Sequence, residues 1–386
     1  VVKTAVGHSE DVDPADAGAE AVAQALAALG GHAPRAALVF TGIDVDPKAA
    51  LDAVSARLPG VLLVGGTTAA EVSRPLGAVE CSVLVVLFAG EGLDVGAGCG
   101  HQGNAEARAA EAVAQARASL TSAPELCICI ASSPHLELSE VQRALTQHLG
   151  PEVLVVGGGS AGEMGKGPLL SKEFFGAEVV ESAVVLLLFG KGVRVAHSLE
   201  LGWSAVSAPF TATRVEGSRV LRELDGRPAG RVFAETLGTA GGPGVTYVHH
   251  PLAVTVPDGA LLRTAFASGP LPESFLLAGD VAEGATLRFC EFERDTLLAS
   301  SPEAAARALG RWSGPPPELA LVFECLTRWT VLGTSVRDAV ASLQAALPSE
   351  TPLAGVYVGG EFAPFQAGQR GYVHNCSIVV LLVGGA

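Results

Sequence analysis

Strand-length apolar runs alternate along this chain with stretches whose apolar residues recur at helical spacing, and the alternation repeats. Residues 3–7 read as a strand. Residues 13–29 read as an alanine-rich helix with acids in its first turns and Gly30-Gly31 at its end. Residues 36–40 read as the next strand. Asp46 and Pro47 then open a helix carrying Leu51, Val54 and Leu58 on one face, with Asp44 and Asp46 read as caps. Residues 61–64 lead as a strand into Gly65 and Gly66. Residues 81–88 and 92–98 are expected to pair as a hairpin. A second set follows: helix 104–120, strand 126–130, helix 139–149, strand 153–156, and a hairpin of 182–189 with 192–198.

Near Trp203 the texture turns polar and arginine-bearing. Residues 218–224 and 229–237 read as short helices, and 245–256, 260–267, 274–278 and 286–293 as short strands. Helix 302–312 comes next, before Pro315-Pro316-Pro317. A third set then returns, with strand 319–323, helix 336–347 and strands 353–358 and 377–383. Each set carries one punctuation: an apolar strand, glycines, then a glutamate. The copies are VLLVGGTTAAE to Glu71, VLVVGGGSAGE to Glu163 and LAGVYVGGE to Glu361. Glu71 and Glu163 lie 92 residues apart, one repeat length.

Strands alternating with helices, plus hairpins, predict a mixed α/β fold: repeated strand–helix–strand–hairpin units whose mixed sheets are packed by helices. The expected domains are residues 1–202, with two tandem units, and 203–386, with a diverged insertion and a third unit. Ligands on such sheets gather at strand ends, where the glycine–glutamate loops lie.

Composition narrows the function. The chain is 49% hydrophobic and 17% charged, which fits a large core and excludes a disordered class. A net charge of −15 without a basic cluster argues against nucleic acid and anionic membranes as partners. The seven cysteines show no framework spacing, so a reducing cytoplasm is expected. The N-terminal segment has no signal-peptide pattern, and no apolar run approaches the length of a membrane span.

Candidate chemistry clusters at the loops. Glycines leave backbone N–H groups uncovered, and Glu71, Glu163 or Glu361 beside them can orient a polar ligand or close their own turns. ECLTRW places Cys325 and Arg328 at a strand end. Arg328 suits a carboxylate or phosphate, or an internal pair with Glu324 or Glu361. Cys325 is a candidate nucleophile without an obvious base. His249 and His250, read in a strand, point to opposite faces, and a neutral imidazole there could ligate a haem iron. Gly157, Gly159 and Gly162 match a dinucleotide fingerprint, but no helix is expected after them. The histidine spacing gives no zinc site, and there is no nucleophile elbow or P-loop.

These segments resemble the FIST family. VLLVGGTTAAE and CSVLVVLF are similar to its N-terminal domain. ELDGRPAGRVFAETLG, HPLAV, LLAGDVAEGATLRF, ECLTRWTVLG and PLAGVYVGGEFAP followed by His374-Asn375 are similar to its C-terminal domain. The resemblance implies a bacterial sensory module binding small ligands, amino acids among them, and signalling through kinase, cyclase or chemotaxis partners. A stand-alone branch is associated with haem and nitric oxide sensing beside a histidine kinase, and another carries an F-box, of which no segment is seen here. The family's Cys-x-Gly-Arg stands here as Cys325-Leu-Thr-Arg328, which adds bulk beside any ligand. Three readings stay open. The first is a receptor holding a small polar metabolite at Arg328, Glu361, Cys325, Asn375, Gly359, Gly360, Glu163 and Glu71. The second is a haem-dependent gas sensor using His249 or His250. The third is an enzyme with Cys325 as nucleophile.

Overall fold

The structure is a computed structural model describing residues 2–133, 136–161, 171–238, 248–268 and 273–386. The first unit comprises β1 (Lys3–Ser9), α1 (Pro14–Ala28), β2 (Pro34–Gly42), α2 (Pro47–Ser55), β3 (Leu62–Thr68), a small hairpin β4 (Glu71–Ser73) and β5 (Gly77–Val79), and β6 (Val83–Ala89). The second repeats it: β7 (Val95–Gly100), α3 (Ala105–Arg117), β8 (Leu126–Ser132), α4 (Leu138–Leu149), β9 (Leu154–Ser160), the hairpin β10 (Glu173–Phe175) and β11 (Glu178–Val180), and β12 (Val184–Phe189).

The third unit opens with β13 (Val193–Glu200) and is interrupted by an insertion. The insertion contains β14 (Ser204–Ala205), β15 (Phe210–Glu216), β16 (Val220–Leu224), β17 (Arg227–Pro228), α5 (Ala229–Leu237), β18 (Leu252–Val256), β19 (Gly259–Arg263), β20 (Ala265–Ser268), β21 (Phe275–Leu277) and β22 (Thr286–Glu291). The unit resumes with α6 (Arg294–Arg311), β23 (Leu319–Cys325), the short α7 (Leu326–Leu332), α8 (Val336–Ala346), β24 (Leu353–Val358), the hairpin β25 (Glu361–Pro364) and β26 (Gly371–His374), and β27 (Ile378–Gly385).

Each unit builds one four-stranded sheet in the same order: β1-β6-β2-β3, β7-β12-β8-β9 and β13-β27-β23-β24. The last pair in each is parallel and the rest antiparallel. No unit keeps its own small hairpin. The first unit's β4–β5 extends the third unit's sheet at β24, the second unit's β10–β11 extends the first sheet at β3, and the third unit's β25–β26 extends the second sheet at β9. The exchange is cyclic and closes the three units into a ring.

The sheets are buried on both faces. Inner faces from all three meet in one apolar core containing Phe40, Phe88, Ile128, Phe189, Phe323 and Leu381. Outer faces pack against each unit's own helices, whose alanines allow close approach. A Cβ at Gly7 or Gly98 would strike the carbonyl oxygens of Ala21 and Ala112. The equivalent third-unit position holds Ser198, whose hydroxyl donates to the Ala304 carbonyl at 2.6 Å. Double-sided burial explains why the strands read as unbroken apolar runs.

Several sequence expectations are corrected. Residues 81–88 and 92–98 do not form a hairpin: β6 pairs with β1 and β2, whereas β7 pairs with β12. Likewise β12 pairs with β7 and β8, and β13 with β27. Both edges of β6 and of β12 are already taken, so the glycine turns after them carry the chain between units. β13 lies before residue 202 yet belongs to the third sheet. Residues 220–224 are a strand paired with β15, not a helix. Of the strand expected at 245–256, residues 245–247 lie outside the described residues and Leu252–Val256 is strand, while His249 and His250 lie in a turn before it. The helix expected at 302–312 begins at Arg294 and carries Pro302 inside it.

Candidate functional site

The hairpin exchange identifies the matched glutamates. In register, Glu71 lies opposite Val356, Glu173 opposite Gly66 and Glu361 opposite Gly158, each at the start of its hairpin. The second member of the triplet is therefore Glu173. Glu163 lies outside the described residues. Each of these glutamates is buried and closes a turn of its own unit. Ser82 and Thr68 hydroxyls donate to Glu71. Ser160 Oγ donates to Glu173 at 2.5 Å and the Ala183 N–H at 2.9 Å. Ser377 Oγ donates to Glu361 Oε2 at 2.5 Å. The residue before each of these turns has a left-handed backbone: Cys81 at φ 53°, Ser182 at φ 54° and Cys376 at φ 59°. Burial pushes Glu71 up to about 8 and Glu173 up to about 7, against the hydroxyl bonds and, for Glu173, the Lys172 charge that pull down. Burial also raises Glu361 well above the carboxylate range, with the Cys325 thiol beside it adding to the effect.

Where the insertion roofs the junction of the second and third units, a cavity of about 810 Å³ opens. Its floor holds Cys325, Thr327, Gly359 and Asn375 from the third unit and Ser133 from the second. Leu136, Leu138, Val220, Leu276, Val358 and Val373 supply apolar wall. Among the described lining residues, charge is confined to Glu137, Glu216 and Arg219, and Arg219 Nη1 donates to Glu137 Oε1 at 3.2 Å. The glycines have a steric reason. A Cβ at Gly359 would strike the Ser133 hydroxyl, and one at Gly360 would sit 3.3 Å from Asn375 Nδ2, on a backbone of φ 149° that side chains avoid.

The expected site residues divide. Cys325, Gly359 and Asn375 come together on the cavity floor. Gly360 and Glu361 lie behind it, and Glu71 belongs to a separate turn, where Ser82 also bonds His8 Nε2 at 2.8 Å. Arg328 does not reach the cavity. It is fully buried in α7, with Nε on Glu324 at 2.7 Å, Nη1 on Ser300 at 2.9 Å and Nη2 on Ser301 at 3.0 Å. The internal pairing is with Glu324, not Glu361. Arg219, Thr264 and Leu276 come from the roof and Leu138 from the start of α4, segments distant in sequence from the expected site residues.

His249 stacks on Phe292 at 5.3 Å and His250 stands edge-on to Phe233 at 6.0 Å. Neither is among the described residues that line the cavity. Burial raises the Cys325 thiol well above its ordinary value, with Cys376 adding to the shift, so it is not activated as a thiolate. Gly157 and Gly159 are inside β9 and not in a phosphate-binding turn. Among the described residues no group of three His, Cys, Asp or Glu is placed to hold a metal, and no helix is long and apolar enough to cross a membrane.

A fold of repeated units with a roofed cavity at one junction defines a scaffold suited to holding a small molecule. Residues 35–227 match the FIST N domain and residues 229–364 the FIST C domain, so the chain belongs to the FIST family of sensory, ligand-binding signal-transduction domains. Among solved structures it is similar to the cyanuric acid hydrolase from A. caulinodans, at 12% identity and TM-score 0.37 over 99% of both chains. A second cyanuric acid hydrolase structure matches at 10% identity and TM-score 0.35, over 99% of this chain and all of that one. T. maritima PurL complexed with ADP matches at 11% identity and TM-score 0.25, over all of this chain and 72% of PurL. No curated protein matches the chain in sequence.

Proposed function

We propose that the chain is a FIST-type sensor whose small ligand occupies the cavity between the second unit, the insertion and the third unit. The carrying observation is the cavity itself: about 810 Å³, largely apolar, with a few convergent polar groups and one ion pair at its margin. A zwitterion such as an amino acid suits that margin, its carboxylate on Arg219 and its ammonium on Glu137. Binding draws the roof and floor together, and a signalling partner, such as a histidine kinase, reads the change. Catalysis through Cys325 is not part of this reading, because burial raises that thiol well above its ordinary value.

Mass spectrometry of small molecules released from the purified protein, followed by calorimetry of whatever is found, tests the proposal. Leu138→Trp fills the cavity from its wall. The proposal expects this variant to stay folded and lose the ligand; retention with unchanged affinity would place the ligand elsewhere.

A further inference from the structure

Asn375 carries an inference about the chemistry of the ligand, resting on the cavity reading above. The residue is 1% exposed, it lines the cavity, and its Oδ1 has no hydrogen-bond partner. A buried amide oxygen left without a donor is costly, so a ligand group that donates to Oδ1 gains on binding, and an acceptor beside that donor meets the amide's own N–H groups. The internal repeat sharpens the point. Asn375 precedes the left-handed Cys376 as Glu80 precedes Cys81 and Glu181 precedes Ser182. Those two glutamates are exposed. Where the insertion covers the same position, a neutral amide stands instead of a charge.

The other described groups at this depth are also uncharged or inward-turned. Thr264 and Thr327 hydroxyls bond each other at 3.1 Å, Thr264 also contacts Cys376 Sγ at 3.1 Å, and Glu361 lies behind Cys325, outside the lining. A carboxylate placed at Asn375 could accept from Nδ2 but would face Oδ1 with a second oxygen. An ammonium would lose its hydration with no lining carboxylate among the described residues at that depth. We infer that the cavity receives a ligand whose inner end is a neutral edge of adjacent donor and acceptor, a primary carboxamide or a lactam, paired reciprocally with the Asn375 amide. Either orientation of the Asn375 amide satisfies such an edge.

The test is a matched probe series on the wild-type protein, read by calorimetry: phenylacetamide, phenylacetate and N,N-dimethylphenylacetamide. The three share one apolar body. The primary amide is expected to bind roughly tenfold or more tightly than the other two. Asn375→Leu, checked for folding by circular dichroism, should abolish that preference, and the wild-type series stands alone if the variant does not fold. Equal binding of all three overturns the amide inference and leaves the cavity as the binding site. Binding of none at millimolar concentration, together with unchanged affinity of a co-purified ligand in Leu138→Trp, overturns both.

Discussion

At the residue scale, Arg328 shows how little a side chain's identity says about its direction. Its guanidinium is sealed between β23 and α6, where Glu324, Ser300 and Ser301 use its donors. Arg328→Ala leaves the buried Glu324 without its ion-pair partner, and unfolding free energy should fall by about 3–5 kcal/mol in denaturant titration. A variant of unchanged stability would refute the structural role. The buried titratable groups predict a second effect. Glu71 and Glu173 are raised from about 4.5 to about 8 and about 7, so the folded state holds protons that the unfolded state releases. Stability from these groups is full below about pH 4.5 and declines as pH rises through their folded values. His8 and His374 act oppositely, since burial lowers them from 6.5 to about 4 and about 3 and stability falls as pH drops below 6.5. Between pH 6.5 and 8 the carboxyls alone act, and stability should decline at up to roughly 1.4 kcal/mol per pH unit for Glu71. Glu71→Gln should flatten that decline in melts across this range; an undiminished slope would assign it to other groups.

At the element scale, strands, alanine-rich helices and the threefold recurrence were legible because double-sided burial and close helix packing leave periodic traces. What the strands pair with was not. Adjacent strands separated by a glycine turn look like a hairpin whether they pair or part, and here β6 and β7 part. The turn glutamates illustrate the same limit. Spacing selected Glu163, because the second repeat has a longer connection between β9 and β10, and only the register on β3 identifies Glu173. The cavity was half legible: Cys325, Gly359 and Asn375 follow strand ends, while the roof depends on an insertion with no periodic signature. The left-handed turns offer an element-level prediction. Ser182 holds φ 54° before β12. Ser182→Val should cost about 1–2 kcal/mol in thermal or denaturant unfolding, whereas Ser182→Gly should be neutral or stabilising by up to about 1 kcal/mol. Equal tolerance of both would mean that the turn relaxes to another conformation.

At the scale of the whole molecule, cyclic hairpin exchange makes the three units one thermodynamic body. Each sheet is completed by a hairpin from another unit, and all three inner faces share one core. The chain can be divided at the exposed Lys191, between β12 and β13, without cutting an element. Residues 1–191 then lack β25–β26 on the edge of β9, and their own β4–β5 has no host strand. Residues 192–386 lack β4–β5 on β24. Each piece exposes an open strand edge and part of the central core, a combination that favours aggregation over independent folding. Expressed separately, the pieces should be insoluble or lack a cooperative melt. Expressed together, with a tag on one, they should copurify at equal ratio and melt in a single transition near that of the intact chain. A monomeric, cooperatively folded 192–386 would show that the exchanged hairpins are an accessory to stability and that a signal at the cavity need not reach the first unit. If the pieces fold only together, a ligand seated between the second and third units biases a body that includes the first, which gives binding at one junction a route to the far side of the ring.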